Sequence, residues 1–195
     1  MANIPGAVTD PSRVRGEDVE FKSGGDTITG YLARPSQPGR HPGIVVIHEA
    51  FGLVEHIRDL ARRFANIGYD ALAPDLYARA GGPSNPGDMA TVMPVMFGKP
   101  DAETTPSRPT PILDLVGKLG CPLFAVFGEE DQNPSVAQSE EVKKRAAAAG
   151  KDATIKVYKN AGHAFLADYR PSYREGPAAE LWGDAVAFFD KHLKA

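Results

Sequence analysis

The chain has 195 residues, 42% of them hydrophobic and 24% charged, which is the size and composition of one globular domain. The net charge of −3, without a block of lysines or arginines, argues against nucleic acid as a partner. No apolar run approaches the roughly 18 residues that a membrane span requires, and no secretory signal is visible. We therefore expect a cytoplasmic protein without a membrane partner. The single cysteine excludes an intrachain disulfide, and without a Cys/His cluster we predict no metal site.

The first part of the chain predicts an antiparallel hairpin that gives way to parallel units. The hairpin strands are expected at residues 19–22 and 27–34. A buried strand is expected at 43–48, a helix at 53–67 and a further strand at 69–74. The hairpin strands alternate apolar and polar residues around Ser23–Asp26. Residues 43–48 form a short, β-branched apolar run, which predicts a strand buried on both faces.

The second part predicts a β-loop-α-β-loop unit followed by a long helix. A short helical segment is expected at 112–119, strands at 123–127 and 153–158, and helices at 135–149 and 178–193. Ser135 is a plausible N-cap and Gly150 a stop for the middle helix. The apolar face of the last helix predicts that it covers one side of the sheet.

An acid and a histidine follow the two strands of this unit. Asp131 lies in the loop after 123–127, and His163 lies in the turn after 153–158. A right-handed crossover makes these strands parallel, so both residues are expected at the same edge of the sheet. Taken singly, such an aspartate is usually a turn former and such a histidine is usually structural. As a pair, in the order acid then histidine, they match the chain order of the α/β-hydrolase triad.

Two loops after the earlier strands hold further candidates. Glu49 follows a buried strand directly, where a carboxylate usually has a partner or a task. In a hydrolase of this layout the same loop supplies a backbone N–H to the oxyanion hole, and Ala50 is the candidate. A simple turn closed by Gly52 is the alternative. Arg79, after the next strand, is either a clamp for an anionic substrate group or a solvated arginine.

Four segments, in order along most of the chain, resemble the dienelactone hydrolase family of α/β-hydrolases: residues 45–52, 73–79, 127–134 and 161–165. The resemblance implies an α/β fold with a mostly parallel sheet flanked by helices after an N-terminal antiparallel hairpin, in a single domain spanning 1–195. It implies hydrolysis of a lactone or ester without a cofactor, as in carboxymethylenebutenolidases.

The resemblance also implies roles for single residues. Asp131 and His163 would be the acid and base of the triad, and Glu49 would contact the nucleophilic thiol. Arg79 would contact a carboxylate of the substrate. The family's second arginine is replaced here by Ala167, and we expect the nearby Arg170 to substitute for it.

The residue that attacks the substrate is missing from this pattern. The family carries a cysteine in a Gly-x-Cys-x-Gly elbow, and residues 81–120 contain neither this motif nor Gly-x-Ser-x-Gly. Residues 81–111, with seven prolines, predict an irregular connection. Cys121 precedes Pro122 at the start of a strand and is predicted to be a buried structural thiol, so no nucleophile is assigned.

The missing elbow also raises a question about the sheet. Without the central strands of the family, the strands at Ile44 and Leu123 would lie about 14 Å apart, which is three strand spacings. Buried backbone groups do not stay unpaired across such a gap. Residues 44–48 could pair directly with 123–127, another segment or a second chain could fill the gap, or the chain could be a deletion product of a longer hydrolase.

Two functions follow from these observations. The first is hydrolysis of an ester or lactone that carries a carboxylate, weak or lost because the elbow is absent, with water as the remaining nucleophile. The second is a non-catalytic relative that binds a small anion through Arg79 and Arg170, or a protein partner through exposed sheet edges. A third alternative is a chain that folds poorly.

Overall fold

The computed structural model describes residues 4–80, 88, 90–91 and 112–194. Contacts between Cα atoms divide the chain into two compact units. The N-terminal unit is Gly6–Thr105, and the C-terminal unit is Pro106–Ala195 together with Met1–Pro5. Apart from residues 88, 90 and 91, the connection predicted for 81–111 lies outside the described residues. No helix among the described residues is long and apolar enough to cross a membrane.

The described strands of the N-terminal unit form one sheet of four, in the order β1-β2-β4-β3. They are β1 (Val14–Ser23), β2 (Asp26–Pro35), β3 (Gly43–Val45) and β4 (Asp70–Pro74). The β1-β2 pairing is antiparallel and the β4-β3 pairing is parallel, as the sequence predicts, and β2 pairs with β4 in antiparallel fashion. The hairpin is longer than predicted, and its two turn residues, Gly24 and Gly25, have φ of +59° and +92°. Two positive φ values in succession require glycine, asparagine or aspartate, which explains the Gly-Gly pair.

The prediction that residues 43–48 are buried on both faces is wrong. Strand β3 ends at Val45, and one further bond continues its ladder, from the Val46 N–H to the Leu72 carbonyl at 2.8 Å. Ile44 is buried, whereas Val45 and Ile47 are 60% and 59% exposed. Because side chains alternate along an extended chain, Ile44 faces the core, whereas Val45 and Ile47 face the opposite side. The apolar run therefore describes a strand that is covered on one face.

Helix α1 (Glu55–Asn66) covers the sheet of the N-terminal unit. It begins two residues later than predicted, and the chain leaves it at Gly68 with φ of +96°. Helix and sheet meet through small side chains: Ala33, Ala61, Ala65, Ala71 and Ala73 are buried in one cluster. Alanines allow the backbones to approach closely. Tyr31 is a larger residue of this cluster. The guanidinium groups of Arg58 and Arg62 lie over its ring, 5.0 and 5.6 Å from the ring centre.

The C-terminal unit contains the predicted β-loop-α-β-loop arrangement. Its elements are α2 (Ile112–Leu115), a 3-10 turn (Val116–Lys118), β5 (Leu123–Gly128), α3 (Val136–Ala148), β6 (Ala153–Tyr158) and α4 (Glu175–Leu193). Strands β5 and β6 are parallel and pair from Leu123 with Ala153 to Gly128 with Tyr158. Ser135 has the extended backbone of an N-cap, and its N–H donates to the Gln138 side chain at 2.7 Å. Both predicted helix signals therefore lie where the helix begins and ends, since Gly150 follows it with φ of +62°.

Helix α4 packs on the β5-β6 sheet, as predicted, although it begins three residues earlier than expected. The Phe124 and Phe188 rings lie 5.7 Å apart. Asp184 of the helix accepts hydrogen bonds from Lys156 and Tyr158 of β6, at 2.5 and 2.6 Å. A cluster of buried residues lies beneath this helix and continues into the loop after β6: Tyr158, Ala161, Phe165 and Leu181. This core fixes the end of β6 and the start of the loop that carries His163.

Candidate active site

The loop after β5 holds Asp131 through its own backbone. The Asp131 N–H donates to the Gly128 carbonyl at 3.2 Å, which closes a turn directly after the strand. Within this turn, the Asn133 N–H donates to Asp131 Oδ1 at 2.9 Å. The carboxylate is only 9% exposed. One carboxylate oxygen is thus occupied by the loop itself, which leaves Oδ2 for a second partner.

The loop after β6 is bonded to the loop after β5. The Glu130 N–H donates to the Ala161 carbonyl at 2.9 Å, and the Asn160 N–H donates to the Glu129 carboxylate at 3.2 Å. Asn160 and Ala164 have φ of 54° and 58°, in the left-handed region. Asparagine tolerates that region, but for alanine it is strained by about 1–2 kcal/mol. The surrounding bonds therefore hold the residue after His163 in a conformation that it would not adopt alone.

Gly128 allows these two loops to approach each other. A Cβ added at Gly128 would lie 2.4 Å from the Ala161 carbonyl oxygen and 2.9 Å from its carbonyl carbon. Both atoms are backbone, so neither can move aside without displacing the loop. The last residue of β5 must therefore be glycine for this arrangement to form.

Asp131 and His163 meet at the carboxyl ends of β5 and β6, as the sequence predicts. Nδ1 of His163 lies 3.0 Å from Oδ2 of Asp131. A carboxylate only accepts, so Nδ1 carries the proton and, in the neutral ring, Nε2 carries the lone pair. The His163 side chain is 64% exposed, and no hydrogen bond to its Nε2 is made within the described part of the chain. This geometry is that of a base oriented by a buried acid.

In the N-terminal unit, His48 lies directly after the β3 ladder and is buried. Its Nδ1 lies 2.7 Å from the Glu49 carbonyl, and its Nε2 lies 3.0 Å from the Leu76 backbone nitrogen. A carbonyl only accepts and a backbone N–H only donates, so Nδ1 is protonated and Nε2 is not. Asp75 Oδ1 lies 3.7 Å from Nε2, too far for a hydrogen bond, and Nε2 has no proton to offer it. His48 is therefore a neutral histidine with both nitrogens used.

The loops after β3 and β4 are joined a second time by Tyr77. Its hydroxyl donates to the Ala50 carbonyl at 2.8 Å, and its ring lies 5.0 Å from the ring of His48. Burial, and then the neighbouring charge of Asp75, raise the pKa of Tyr77. The phenol therefore remains a donor at neutral pH. His48 and Tyr77 were not among the predicted site residues, and the only signal in the sequence is a histidine directly after a strand.

The other predicted residues of this region lie as follows. Glu49 is partly buried. Arg79 donates from Nε to Asp26 at 2.6 Å and from Nη2 to the Ser23 carbonyl at 2.7 Å, so it contacts the β1-β2 hairpin. Both charged side chains of this pair are more than half exposed. A pair of this kind contributes only about 0–1 kcal/mol, so a bound anion could compete for the arginine.

Arg170, in the C-terminal unit, lies beside Tyr169. Its Nε donates to the Tyr169 hydroxyl at 2.9 Å, and its guanidinium lies 5.2 Å from the centre of that ring. Ala167, which stands where the family has its second arginine, is buried. The structure thus provides a cation three residues beyond this position, stacked on an exposed aromatic ring. Its role as a substrate contact stays a prediction.

The prediction that Cys121 is buried is wrong, because the thiol is exposed. Cys121 lies in the turn that precedes β5, ahead of the residues that pack in the sheet. Strand β5 has six residues and spans about 20 Å. That length separates Cys121 from the strand ends that carry Asp131 and His163. The absence of a nucleophile stays a prediction.

A metal-binding cluster is not present among the described residues. No three histidine, cysteine, aspartate or glutamate side chains in the described ranges come close enough together to hold an ion. The described pair with an exposed imidazole is Asp131–His163, whose bond leaves Nε2 of the histidine towards solvent.

Comparison with known proteins identifies the family. The model of the dienelactone hydrolase family matches residues 28–107 and 98–193. A Methylorubrum extorquens protein named "Putative carboxymethylenebutenolidase" is 30% identical over 233 aligned positions, covering 89% of this chain and 80% of the relative. The aligned stretch is longer than this chain of 195 residues, so the relative contains residues without a counterpart here.

Solved structures agree with this assignment. A Klebsiella pneumoniae protein named "Putative Dienelactone Hydrolase" is 26% identical, with a TM-score of 0.80 over 92% of this chain and 99% of that one. The phosphotriesterase P91, described as dienelactone hydrolase-like, is 18% identical with a TM-score of 0.69 over 93% and 99%, which supports the fold alone. The predicted α/β-hydrolase-like fold is confirmed. The chain belongs to the dienelactone hydrolase family.

Proposed function

We propose that this protein hydrolyses ester or lactone bonds, with the Asp131–His163 pair as its proton-transfer machinery. The observation that carries the proposal is the 3.0 Å bond between His163 Nδ1 and Asp131 Oδ2, combined with an exposed imidazole. Family membership supports the reaction class. A cytoplasmic location stays a prediction.

The described residues support water as the nucleophile. Nε2 of His163 has a lone pair and takes a proton from a water molecule, while the resulting hydroxide attacks the ester carbonyl. Asp131 stabilises the imidazolium that forms, and His163 then returns the proton to the leaving oxygen. General-base catalysis of this kind contributes about 10²–10⁴-fold. We expect slow turnover, because water must be positioned for each attack and no covalent intermediate divides the barrier.

The remaining roles come from the family resemblance. Glu49, which is partly buried, is proposed as the carboxylate that would contact an attacking thiol, as the resemblance implies. The Ala50 N–H is proposed as a donor to the oxyanion. Arg79 and Arg170 are proposed as contacts for a carboxylate of the substrate, because a guanidinium binds a carboxylate with two parallel hydrogen bonds.

The test compares the purified wild-type chain with His163→Ala on p-nitrophenyl acetate and on dienelactone. We expect the variant to hydrolyse both substrates at least tenfold more slowly. His192→Ala is the matched control, because imidazole side chains cleave activated esters without any site, and His192 packs on Phe188 away from the pair. Equal rates for the wild type and His163→Ala would overturn the proposal.

A further inference from the structure

His48 has a place in the N-terminal unit that the proposed reaction does not yet use. The ring is buried and both its nitrogens are bonded, one to its own loop and one to the loop after β4. Any buried imidazole needs partners for both nitrogens, so the informative feature is which groups these partners are. The bond to the Glu49 carbonyl is the informative one, because that carbonyl and the Ala50 N–H belong to the same peptide group.

We propose that His48 is a positioning residue that locks the Glu49–Ala50 peptide, so that the Ala50 N–H is aimed as a donor to the oxyanion. The inference rests on the proposed function. It adds a residue that sets the direction of the donor without touching the substrate.

The geometry of the peptide group carries the argument. A trans peptide is planar, and its C=O and N–H bonds point in opposite directions. The Glu49 carbonyl accepts from His48 Nδ1 at 2.7 Å and from the Gly52 N–H at 3.1 Å. Two donors on the oxygen fix the plane of the peptide. The Ala50 N–H must then point away from both of them.

The same bonds strengthen the donor as well as aim it. Hydrogen bonds to a carbonyl oxygen polarise the whole peptide group, which makes its N–H a better donor. An N–H that is directed in advance also loses no free energy to reorientation when negative charge develops on the substrate. His48 thus contributes to binding of the transition state through the Ala50 peptide.

A second lock lies on the other side of Ala50. Tyr77 donates to the Ala50 carbonyl at 2.8 Å, which fixes the next peptide plane. Leu76, next to Tyr77, supplies the N–H that holds His48 Nε2 at 3.0 Å. The loop after β4 therefore holds the loop after β3 at both ends of a single residue, Ala50. Rotation of either peptide plane would break one of these bonds.

The kinetic test compares two substitutions at one position. His48→Leu removes both bonds, whereas His48→Gln keeps one donor and one acceptor. We expect His48→Leu to lower kcat about 10–100-fold with KM changed less than about threefold, because a misdirected donor weakens transition-state binding alone. His48→Gln should recover most of the loss. A wild-type kcat in His48→Leu, or a Gln variant that folds but is as slow as the Leu variant, would overturn the proposal.

A second measurement is independent of turnover. Nitrogen-15 NMR of the wild type should show His48 in the neutral tautomer protonated on Nδ1. The residual dipolar coupling of the Ala50 N–H, which reports the direction of that bond, should be kept in His48→Gln and changed in His48→Leu. If His163→Ala does not slow hydrolysis, the proposed function fails. The NMR data still test separately whether His48 holds the Glu49–Ala50 peptide. A ring protonated on Nε2, or an unchanged coupling in His48→Leu, would overturn it.

Discussion

The two histidines that follow strands in this protein have opposite environments. His163 bonds one nitrogen to Asp131, and its side chain is 64% exposed. His48 is buried and bonds both nitrogens, to the Glu49 carbonyl and the Leu76 N–H. His163 has a lone pair available to accept a proton, whereas the lone pair of His48 already accepts from the Leu76 N–H. A position after a strand therefore does not make a histidine a base; the partners of its two nitrogens do.

The two loop pairs are also held by different means. The loops after β5 and β6 approach closely through backbone groups, with Gly128 against Ala161 and the Glu130 N–H on the Ala161 carbonyl, and the Asp131–His163 bond adds a side-chain link. The loops after β3 and β4 are joined through side chains, His48 and Tyr77. Adding a side chain at Gly128 should accordingly act through sterics in the first pair, whereas substitutions of His48 or Tyr77 should act through lost hydrogen bonds in the second.

The largest effect is expected at Asp131. Asp131→Asn keeps the size of the side chain but removes the charge that stabilises a protonated His163, so kcat for p-nitrophenyl acetate should fall about 10²–10⁴-fold. The unfolding midpoint in urea should move little, which separates chemistry from stability. A variant with the wild-type kcat would show that the exposed histidine acts without its acid and would remove the contrast with His48.

A steric test follows at the end of β5. Gly128→Ala places a Cβ 2.4 Å from the Ala161 carbonyl oxygen, and we expect it to lower the free energy of unfolding by about 2–3 kcal/mol. Gly162→Ala is the matched control in the adjoining loop, because an added Cβ there meets no atom within 4 Å. Urea denaturation of the two variants provides the comparison. Equal stabilities would mean that the loops after β5 and β6 are not in close contact.

A pH-dependent effect is expected where α4 is anchored to β6. Hydrogen bonds from Lys156 and then Tyr158 lower the pKa of Asp184 below its usual value of 3.8. A carboxyl with a lowered pKa in the folded state stabilises it above about pH 4, and the contribution disappears as the pH falls through the folded pKa. Asp184→Asn should therefore cost about 1 kcal/mol at pH 7 and less near pH 2, because the charge that Asn lacks is progressively lost from Asp184 as the pH falls. Urea denaturation of the wild type and the variant at both pH values measures this difference in the free energy of unfolding. A difference that is the same at both pH values would contradict the prediction.

The smallest effect on stability is expected at the hairpin. Asp26→Asn removes the charge that holds Arg79, and because the pair is exposed the loss should be below about 1 kcal/mol. If Arg79 binds a substrate carboxylate, its release should lower KM for dienelactone and leave KM for the uncharged p-nitrophenyl acetate unchanged. A rise in KM for both esters would show that the ion pair supports the shape of the hairpin instead.

Local signals were enough to predict most of the C-terminal unit. The strand at 153–158 was predicted with its observed bounds, and the Ser135 and Gly150 signals mark the helix between the strands. Parallel pairing follows from the handedness of the crossover, and the meeting of Asp131 and His163 follows from that pairing. These features depend on neighbouring residues in the chain, which a sequence displays directly.

Features that depend on distant residues were predicted poorly. The exposure of Val45 and Ile47 depends on what lies against the sheet, and the apolar run records only that the residues favour strands. His48 depends on an N–H 28 residues away, at Leu76. Nothing local predicts the left-handed backbone of Ala164, which the surrounding loop imposes.

The acid and the imidazole of the C-terminal unit belong to one contiguous stretch, and their bonds are made inside it. A rearrangement elsewhere in the gene would therefore leave the proton acceptor oriented as before. Such a stretch would carry the proposed proton-transfer pair as one unit. A new attacking group, contributed by mutation or by a small thiol from solution, would find its base already in place.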